Sequence, residues 1–345
     1  MELLAQGRIT WRQRLIGMLT SMAILTIPTS AQADEGGISF WIPGFLGSLA
    51  AAPLQPGFSL TNEYYHSSVS AGSEVTFARQ VITGNLKRKF TGNLNINLDG
   101  NADLLLIIPG YTFKKQMLGG QATVVMLVPY GRTKTHVSGT LSGNLGLGPG
   151  FVIGAARTDQ VIGNGDLAPM FNLRWNVKTV HNFMTYIAGD LTAGAYDSTR
   201  FANLGINHNS IDAGGAYTYF NPENGREFSA TLGFTYNYPN FRTHYQNGID
   251  SHLDISASKF FAKKKQIGLV GYAYQQLSCD SGSNNQVGCF KSHVYGIGPQ
   301  LGYIASGKKY SLFINLKGYD EFNAKYRASG WNTWLSVSLS PAATA

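Results

Sequence analysis

The chain has 345 residues, of which 43% are hydrophobic and only 13% are charged, with a formal net charge of +8. A typical soluble domain carries about 25% charged residues, and a disordered chain needs few apolar residues and a high net charge. The composition therefore argues against both an ordinary soluble domain and an intrinsically disordered protein.

The first 33 residues have the three parts of a secretory signal peptide. Three arginines lie between positions 8 and 14, an apolar stretch follows at 15–27, and Ala31 and Ala33 form a cleavage pattern before Asp34. An apolar stretch of this length is too short to span a bilayer as a helix. We predict a cleaved signal and an exported protein, which argues against a cytoplasmic location and a nucleic-acid partner despite the basic charge.

Twelve extended runs follow the first glycine-rich and proline-rich segment. Between them, short turns such as "NPENG" and "SGKK" alternate with longer connections around 68–100, 138–167, 195–209, 240–249, 280–289 and 321–330. Short turns on one side and long loops on the other are typical of a transmembrane β-barrel. The runs lie at 57–67, 101–114, 120–137, 168–178, 181–194, 210–221, 226–239, 250–262, 265–279, 290–304, 309–320 and 331–340.

The alternation within these runs indicates which face would meet lipid. In "REFSATLGFTYNYPN", Phe228, Leu232 and Phe234 fall on one side of the chain, whereas Thr231 and Thr235 fall on the other. A membrane strand needs about 9–11 residues to cross at its usual tilt, which is longer than the common soluble strand. The sequence predicts an all-β fold, a transmembrane antiparallel up-and-down β-barrel of about 12 strands at 57–341; a soluble β-sandwich, or ten or fourteen strands, are the alternatives.

The segment 34–56 lies between the predicted signal and the barrel. Its stretch 36–56 contains no charged residue and is rich in Gly, Pro and large apolar residues. Because a free segment this apolar would tend to aggregate, we predict that it enters the barrel as a stopper; a flexible periplasmic leader is the alternative. Its luminal contacts would be made by Phe40, Trp41, Ile42, Phe45 and Leu46.

Charged residues on the polar faces of the runs are candidates for the lumen, where they would either neutralise one another or line an electrostatic path. The candidates are Arg174, Lys178, Asp190, Asp212, Glu227, Asp254, Lys259, Lys317 and Glu321. The run "DLLLIIPGYTF" is apolar on both faces, which predicts that its inward side packs against something inside the barrel. Lysine clusters at the tight turns would contact phospholipid head groups in the inner leaflet of the outer membrane; turns that are merely solvated are the alternative.

Two further features of the sequence bear on covalent and catalytic chemistry. Cys279 and Cys289 flank a polar, turn-prone loop, and we predict a disulfide between them in an oxidising compartment. A His-x-Ser pattern occurs three times, which is weak evidence for a membrane lipid hydrolase. The sequence contains no metal-spaced His/Cys cluster and no nucleotide fingerprint, so we predict no metal, no cofactor and no enzymatic activity.

Several long motifs, including "DEGGISFWIPGFLGSLAAAP", "FSATLGFTYNY" and "NLKGYDEFNAKYRASGWNTWL", resemble an outer-membrane transporter family of the meta pathway of phenol degradation. The likeness covers roughly 36–341, with a looser similarity to fatty-acid and toluene channels. The resemblance implies a Gram-negative outer-membrane channel for passive uptake of small apolar or aromatic solutes. A non-conducting adhesin or receptor barrel is the alternative, and the oligomeric state stays open.

Overall fold

The computed structural model describes residues 39–83, 86–144, 151–283, 289 and 291–342, so the predicted signal peptide lies outside the described residues. The strands are β1 (Gly57–Thr83), β2 (Leu86–Thr112), β3 (Gln121–Asn144), β4 (Phe151–Asn164), β5 (Ala168–Val177), β6 (His181–Asp190), β7 (Ser210–Asn221), β8 (Arg226–Asn237), β9 (Tyr245–Gln246), β10 (Asp250–Phe261), β11 (Lys265–Gln276), β12 (Ser281–Gly282), β13 (His293–Ser306), β14 (Tyr310–Lys325) and β15 (Ser329–Pro341).

Twelve of these strands close into one antiparallel barrel, as the sequence predicted. The order runs β1, β2, β3, β5, β6, β7, β8, β10, β11, β13, β14, β15 and back to β1. The seam is made by β1 and β15, which pair from Leu60↔Leu339 to Ser70↔Ser329. Closure satisfies the backbone groups that lipid could not hydrogen-bond.

The strands at the long-connection end extend further than the sequence indicated. The predicted connection at 68–100 is a continuation of the β1–β2 hairpin, whose pairing runs from Gly57↔Thr112 to Thr83↔Leu86. Much of 138–167 belongs to β3 and to β4, which pairs with the outer half of β3 only. Ladder hydrogen bonds are made by the backbone, so pairing continues where the apolar alternation has already ended.

The alternation in β8 separates lipid-facing from luminal side chains as predicted. Leu232 and Phe234 are each 47% exposed on the outer surface, whereas Thr231 and Thr235 are each 1% exposed on the inner one. Exposed aromatic residues lie towards both ends of the barrel wall, where amphipathic rings favour the membrane interface. They include Tyr64, Tyr130, Tyr236, Tyr238 and Trp331 towards the long connections and Phe58, Phe261, Tyr303 and Tyr310 towards the short turns.

Within the described ranges, no helix combines the length and the hydropathy that crossing a membrane would require.

Candidate functional site

Residues 39–56, called here the luminal segment, lie inside the barrel. The Trp41 ring is 4% exposed and stacks on His252 with 3.9 Å between ring centroids, and it lies 5.7 Å from the ring of Tyr186. Phe45 approaches Trp334 at 6.2 Å. The five apolar residues predicted to contact the lumen all pack on inward side chains of the wall: Phe40, Trp41, Ile42, Phe45 and Leu46.

Two buried charges from different strands hold the middle of the luminal segment. The Asp254 carboxylate on β10 accepts hydrogen bonds from the backbone N–H of Gly44 at 2.8 Å and of Leu46 at 3.2 Å. Lys317 Nζ on β14 donates to the carbonyl oxygens of Gly44 at 2.5 Å and Phe45 at 2.9 Å. We call this pair the charged clamp, because each side chain neutralises backbone dipoles of the same turn.

The turn inside the charged clamp requires glycine at position 44. Gly44 has a φ of +86°, and a Cβ added there would lie 2.9 Å from the ring of Tyr319. A larger residue would therefore meet both an unfavourable backbone conformation and a side chain of the wall.

The luminal segment then continues towards the short-turn end of the barrel. Glu227 accepts hydrogen bonds from the Ser48 hydroxyl at 2.7 Å and from the Leu49 N–H at 3.1 Å. Gln121 exchanges two hydrogen bonds with the backbone of Leu54, at 3.0 and 2.6 Å. Polar side chains from β3, β8, β10 and β14 thus replace the sheet partners that this irregular backbone lacks.

Seven of the nine predicted luminal charges lie on the inner wall, and two do not. Those inside are Arg174, Asp190, Asp212, Glu227, Asp254, Lys317 and Glu321. Lys178 lies exposed in the turn between β5 and β6. Lys259 is paired with Ile267 on the lipid-facing side and donates to the Asn224 carbonyl oxygen in the neighbouring turn. Asp254 and Lys259 are an odd number of residues apart in one strand, so they face opposite sides.

An internal cavity of about 280 Å³ lies between the luminal segment and the wall. Its lining is mainly apolar, and the inward side chains of "DLLLIIPGYTF" form part of it, which explains why that run is apolar on both faces. The lining includes Phe40, Trp41, Ile42, Phe45, Leu104, Leu106, Ile108, Val125, Leu127 and Met170. Polar groups at its edge are Asp166, Asp190, Glu321, Arg327 and Asn332.

The connection between β6 and β7, residues 191–209, covers the cavity and is called here the roof loop. Phe201, Leu204 and Ile206 line the cavity from this side. Asp166 holds the loop in place by accepting hydrogen bonds from the backbone N–H groups of Ala193 at 2.8 Å, Gly194 at 2.6 Å and Ile206 at 2.6 Å. Sequence reasoning missed Asp166 and the roof loop, because no local sequence pattern in either of them predicts a contact with a distant part of the chain.

The His-x-Ser pairs have structural partners. Ser210 Oγ lies 3.2 Å from His208 Nδ1 and donates to Asn237 at 2.9 Å, but both members of the pair are 2% exposed or less. His66 instead contacts Asp103 at 2.7 Å.

Cys279 and Cys289 are joined in a disulfide, as the loop between them predicted. No group of three or more His, Cys, Asp or Glu side chains within the described ranges is placed to hold a metal ion.

The closed sheet, its apolar outer surface and its internally packed segment define the class of a membrane-type β-barrel with a partly filled lumen. The family model described as "Putative MetA-pathway of phenol degradation" matches residues 83–337, well over half of the chain. The chain therefore belongs to this family. The resemblance noted in the sequence is thereby confirmed.

The first of three solved structures that match the chain supports the fold. An outer membrane channel from Pseudomonas putida F1 is 13% identical, with a TM-score of 0.54, over 87% of this chain and 98% of that one. A FadL homologue from Pseudomonas aeruginosa is 10% identical, with a TM-score of 0.43 over 91% of this chain and 98% of that one. The CymD monoaromatic hydrocarbon channel is 6% identical, with a TM-score of 0.38 over 85% and 90%. No curated protein sequence matches the chain.

Proposed function

We propose that this protein is an outer-membrane channel for the passive uptake of small hydrophobic or aromatic compounds, exported by a cleaved signal peptide. The observation that supports the proposal most directly is the apolar cavity of about 280 Å³ inside a barrel whose outer surface suits lipid. Membership of a phenol-degradation family points to the same class of compound.

The size and the lining of the cavity fit this class of solute. An apolar cavity of about 150 Å³ is known to accept benzene in another protein, so one of about 280 Å³ has room for a single substituted ring. The lining supplies aromatic and aliphatic side chains, as ligand pockets usually do. A water-soluble ion would lose its hydration at these walls without gaining comparable partners.

A barrel of this kind has a physical role in a Gram-negative outer membrane. The outer leaflet carries charged sugars that slow apolar compounds, whereas the apolar cavity inside the barrel offers them a favourable site on the way down their gradient. The luminal segment and the roof loop lie on either side of the cavity, so passage requires at least one of them to move. Both are held by hydrogen bonds to a few side chains rather than by sheet pairing, which makes such movement feasible.

The test is uptake of labelled toluene by Gram-negative cells that express the protein and lack comparable channels. Val125 faces the cavity, and its neighbour Val124 faces lipid with 39% exposure. We expect Val125→Phe to reduce uptake towards the level of cells without the protein, because the added ring occupies the cavity. Val124→Phe is the matched control and should leave uptake unchanged.

The rival explanation is a barrel that binds solutes or partners without conducting them. Under that explanation, purified protein would bind toluene, yet expressing cells would take it up no faster than cells without the protein. Equal uptake by the Val125→Phe and wild-type proteins, with both folded in the membrane, would also overturn the proposed path.

A further inference from the structure

The carboxylate of Asp190 lacks the partners that the other acidic groups at the cavity have. It is 3% exposed and lines the cavity from the end of β6, and its Oδ2 atom has no hydrogen-bond partner among the described residues. Asp166 accepts three backbone N–H groups, as described above. Glu321 accepts the Tyr272 hydroxyl at 2.5 Å and the Gly330 N–H at 2.9 Å.

A buried acceptor without a donor is costly to the folded protein. Leaving a buried polar group unsatisfied destabilises the folded state, and more so when the group is charged. Such exceptions in a folded protein call for a specific explanation. Because Asp190 borders an internal cavity, the missing donor can be supplied by a molecule that enters the cavity.

The surroundings of Asp190 limit what that molecule can be. Ala188 lies two residues earlier on the same inward face, pairs with Met170 on β5 and packs in one cluster with Trp41. All three side chains line the cavity. When a polar group of a bound solute reaches Asp190, the rest of the solute therefore lies against apolar side chains, one of which is the indole ring of Trp41.

We propose that Asp190 is a specificity-determining residue, which accepts a hydrogen bond from a hydroxyl or amino group on a small aromatic solute. The ring lies on the apolar wall formed by Ala188, Met170 and Trp41, and the donor points to the carboxylate. This inference rests on the proposed function and deepens it by naming the solute class: rings with one hydrogen-bond donor are preferred over plain hydrocarbons.

The physical basis of this preference is the penalty for leaving Asp190 unpaired. A solute without a donor fills the same apolar space but leaves the carboxylate without a partner in a site from which it also displaces water. Sites that hydrogen-bond a ligand hydroxyl discriminate strongly against analogues that lack it, for this reason. Size and hydrophobicity alone discriminate far less.

The experiment measures binding by titration calorimetry on the full-length mature protein in detergent micelles, with four probes of similar size. Phenol and aniline carry a donor, anisole has its oxygen masked by a methyl group, and toluene has no polar group. We expect phenol and aniline to bind about tenfold or more tighter than anisole and toluene, as a hydrogen bond to an otherwise unsatisfied buried acceptor would give. If aniline binds more tightly than phenol, the site prefers an amino donor, whereas the opposite order of affinities indicates a preference for a hydroxyl donor.

Two substitutions at position 190 and one control make the assignment specific. Asp190→Leu should abolish the preference for donors and leave toluene binding equal or tighter. Asp190→Asn keeps the shape of the side chain and one acceptor oxygen, so it should show a reduced preference for solutes with a donor. This variant also tests the assignment if the leucine variant fails to fold. Asp320→Asn makes the same chemical change at an exposed aspartate of β14 that does not line the cavity, and it should preserve the wild-type ratio of phenol to toluene affinity.

Two results would overturn the assignment. One is equal binding of phenol and anisole by the wild-type protein, and the other is an unchanged phenol-to-toluene ratio in both Asp190 variants. Failure of the proposed function has a different signature, namely selective binding in micelles without any uptake by cells. Uptake of toluene and phenol at the same rate by wild-type and Asp190→Asn cells would support the channel but contradict the role of Asp190.

Discussion

At the scale of single residues, the charged clamp shows how buried charges can position an irregular segment. Asp254 and Lys317 lie on different strands, and both bond to the backbone of the turn at Gly44–Leu46. Neither is neutralised by a direct ion pair in the described structure, so the peptide groups of the luminal segment provide the compensating polarity. Removing either charge would leave the other uncompensated in the lumen.

We therefore expect Asp254→Ala to release the middle of the luminal segment. Loss of one member of a buried charge arrangement costs roughly 3–5 kcal/mol, and here that cost falls on the packing of the luminal segment. Single-channel recordings in planar bilayers should show a higher conductance for small ions than the wild type. Lys259→Ala removes a charge from the outer side of the same strand and should give wild-type conductance; equal conductance of all three proteins would contradict the clamp.

At the scale of elements, the luminal segment and the roof loop are held by the same device, an acidic side chain that accepts backbone N–H groups. Asp254 and Glu227 serve the luminal segment, and Asp166 serves the roof loop. Gly194 and Gly205 approach so closely that a Cβ on Gly194 would lie 2.6 Å from the Gly205 Cα. The roof loop is thereby folded into one defined shape over the cavity.

Deletion of residues 39–54 should leave the barrel intact, because none of its strands pairs with the luminal segment. It should raise the leakage of small ions by removing the group of side chains that fills the lumen beside Trp334 and His252. The measurement is swelling of proteoliposomes in ionic and sugar solutions. Wild-type swelling rates for the deleted protein would mean that the luminal segment does not restrict passage.

Asp166→Ala should loosen the roof loop and leave the position of the luminal segment unchanged. Three backbone N–H groups lose their acceptor, so the roof loop should become more mobile and more open to protease. Limited proteolysis of whole cells would show cleavage between β6 and β7. Asp197→Ala is a control within the same loop. The Asp197 carboxylate accepts hydrogen bonds from the N–H and the hydroxyl of the exposed Thr199, so its loss should change cleavage much less.

At the scale of the whole molecule, stability depends on the outer face as much as on the lumen. Leu232 lies near the middle of β8 and faces lipid. A charged residue at the midplane of a barrel costs about 2–4 kcal/mol, so Leu232→Arg should reduce the free energy of unfolding by this amount. Urea unfolding in lipid vesicles measures the change, and Glu223→Arg in an exposed turn should show almost none. Folding of the mature protein in water, without detergent or lipid, would contradict a lipid-facing outer surface.

Much of the architecture was predictable because strand alternation is local. The two-residue period of "FSATLGFTYN" reports which side of the sheet meets lipid, and short turns report which strands are neighbours. The ends of β1, β2 and β3 were less predictable, because backbone pairing outside the membrane needs no apolar pattern. Lys259 was misassigned because charge was given more weight than strand parity. Lys178 was misassigned because β5 ends at Val177, which leaves Lys178 in the following turn.

The sequence by itself determined the antiparallel barrel of about twelve strands, the lipid-facing side chains and the apolar character of the luminal segment, since each depends on residues that are close along the chain. Only the tertiary structure decided that Trp41 stacks on His252 and that Asp254 and Lys317 hold one turn. It also decided that Asp190 borders a cavity and that its Oδ2 atom has no hydrogen-bond partner in the part of the chain that the structure describes. These contacts join residues separated by about two hundred positions or more, or depend on the shape of a cavity. They follow from the curvature of the closed sheet, which no short stretch of sequence encodes.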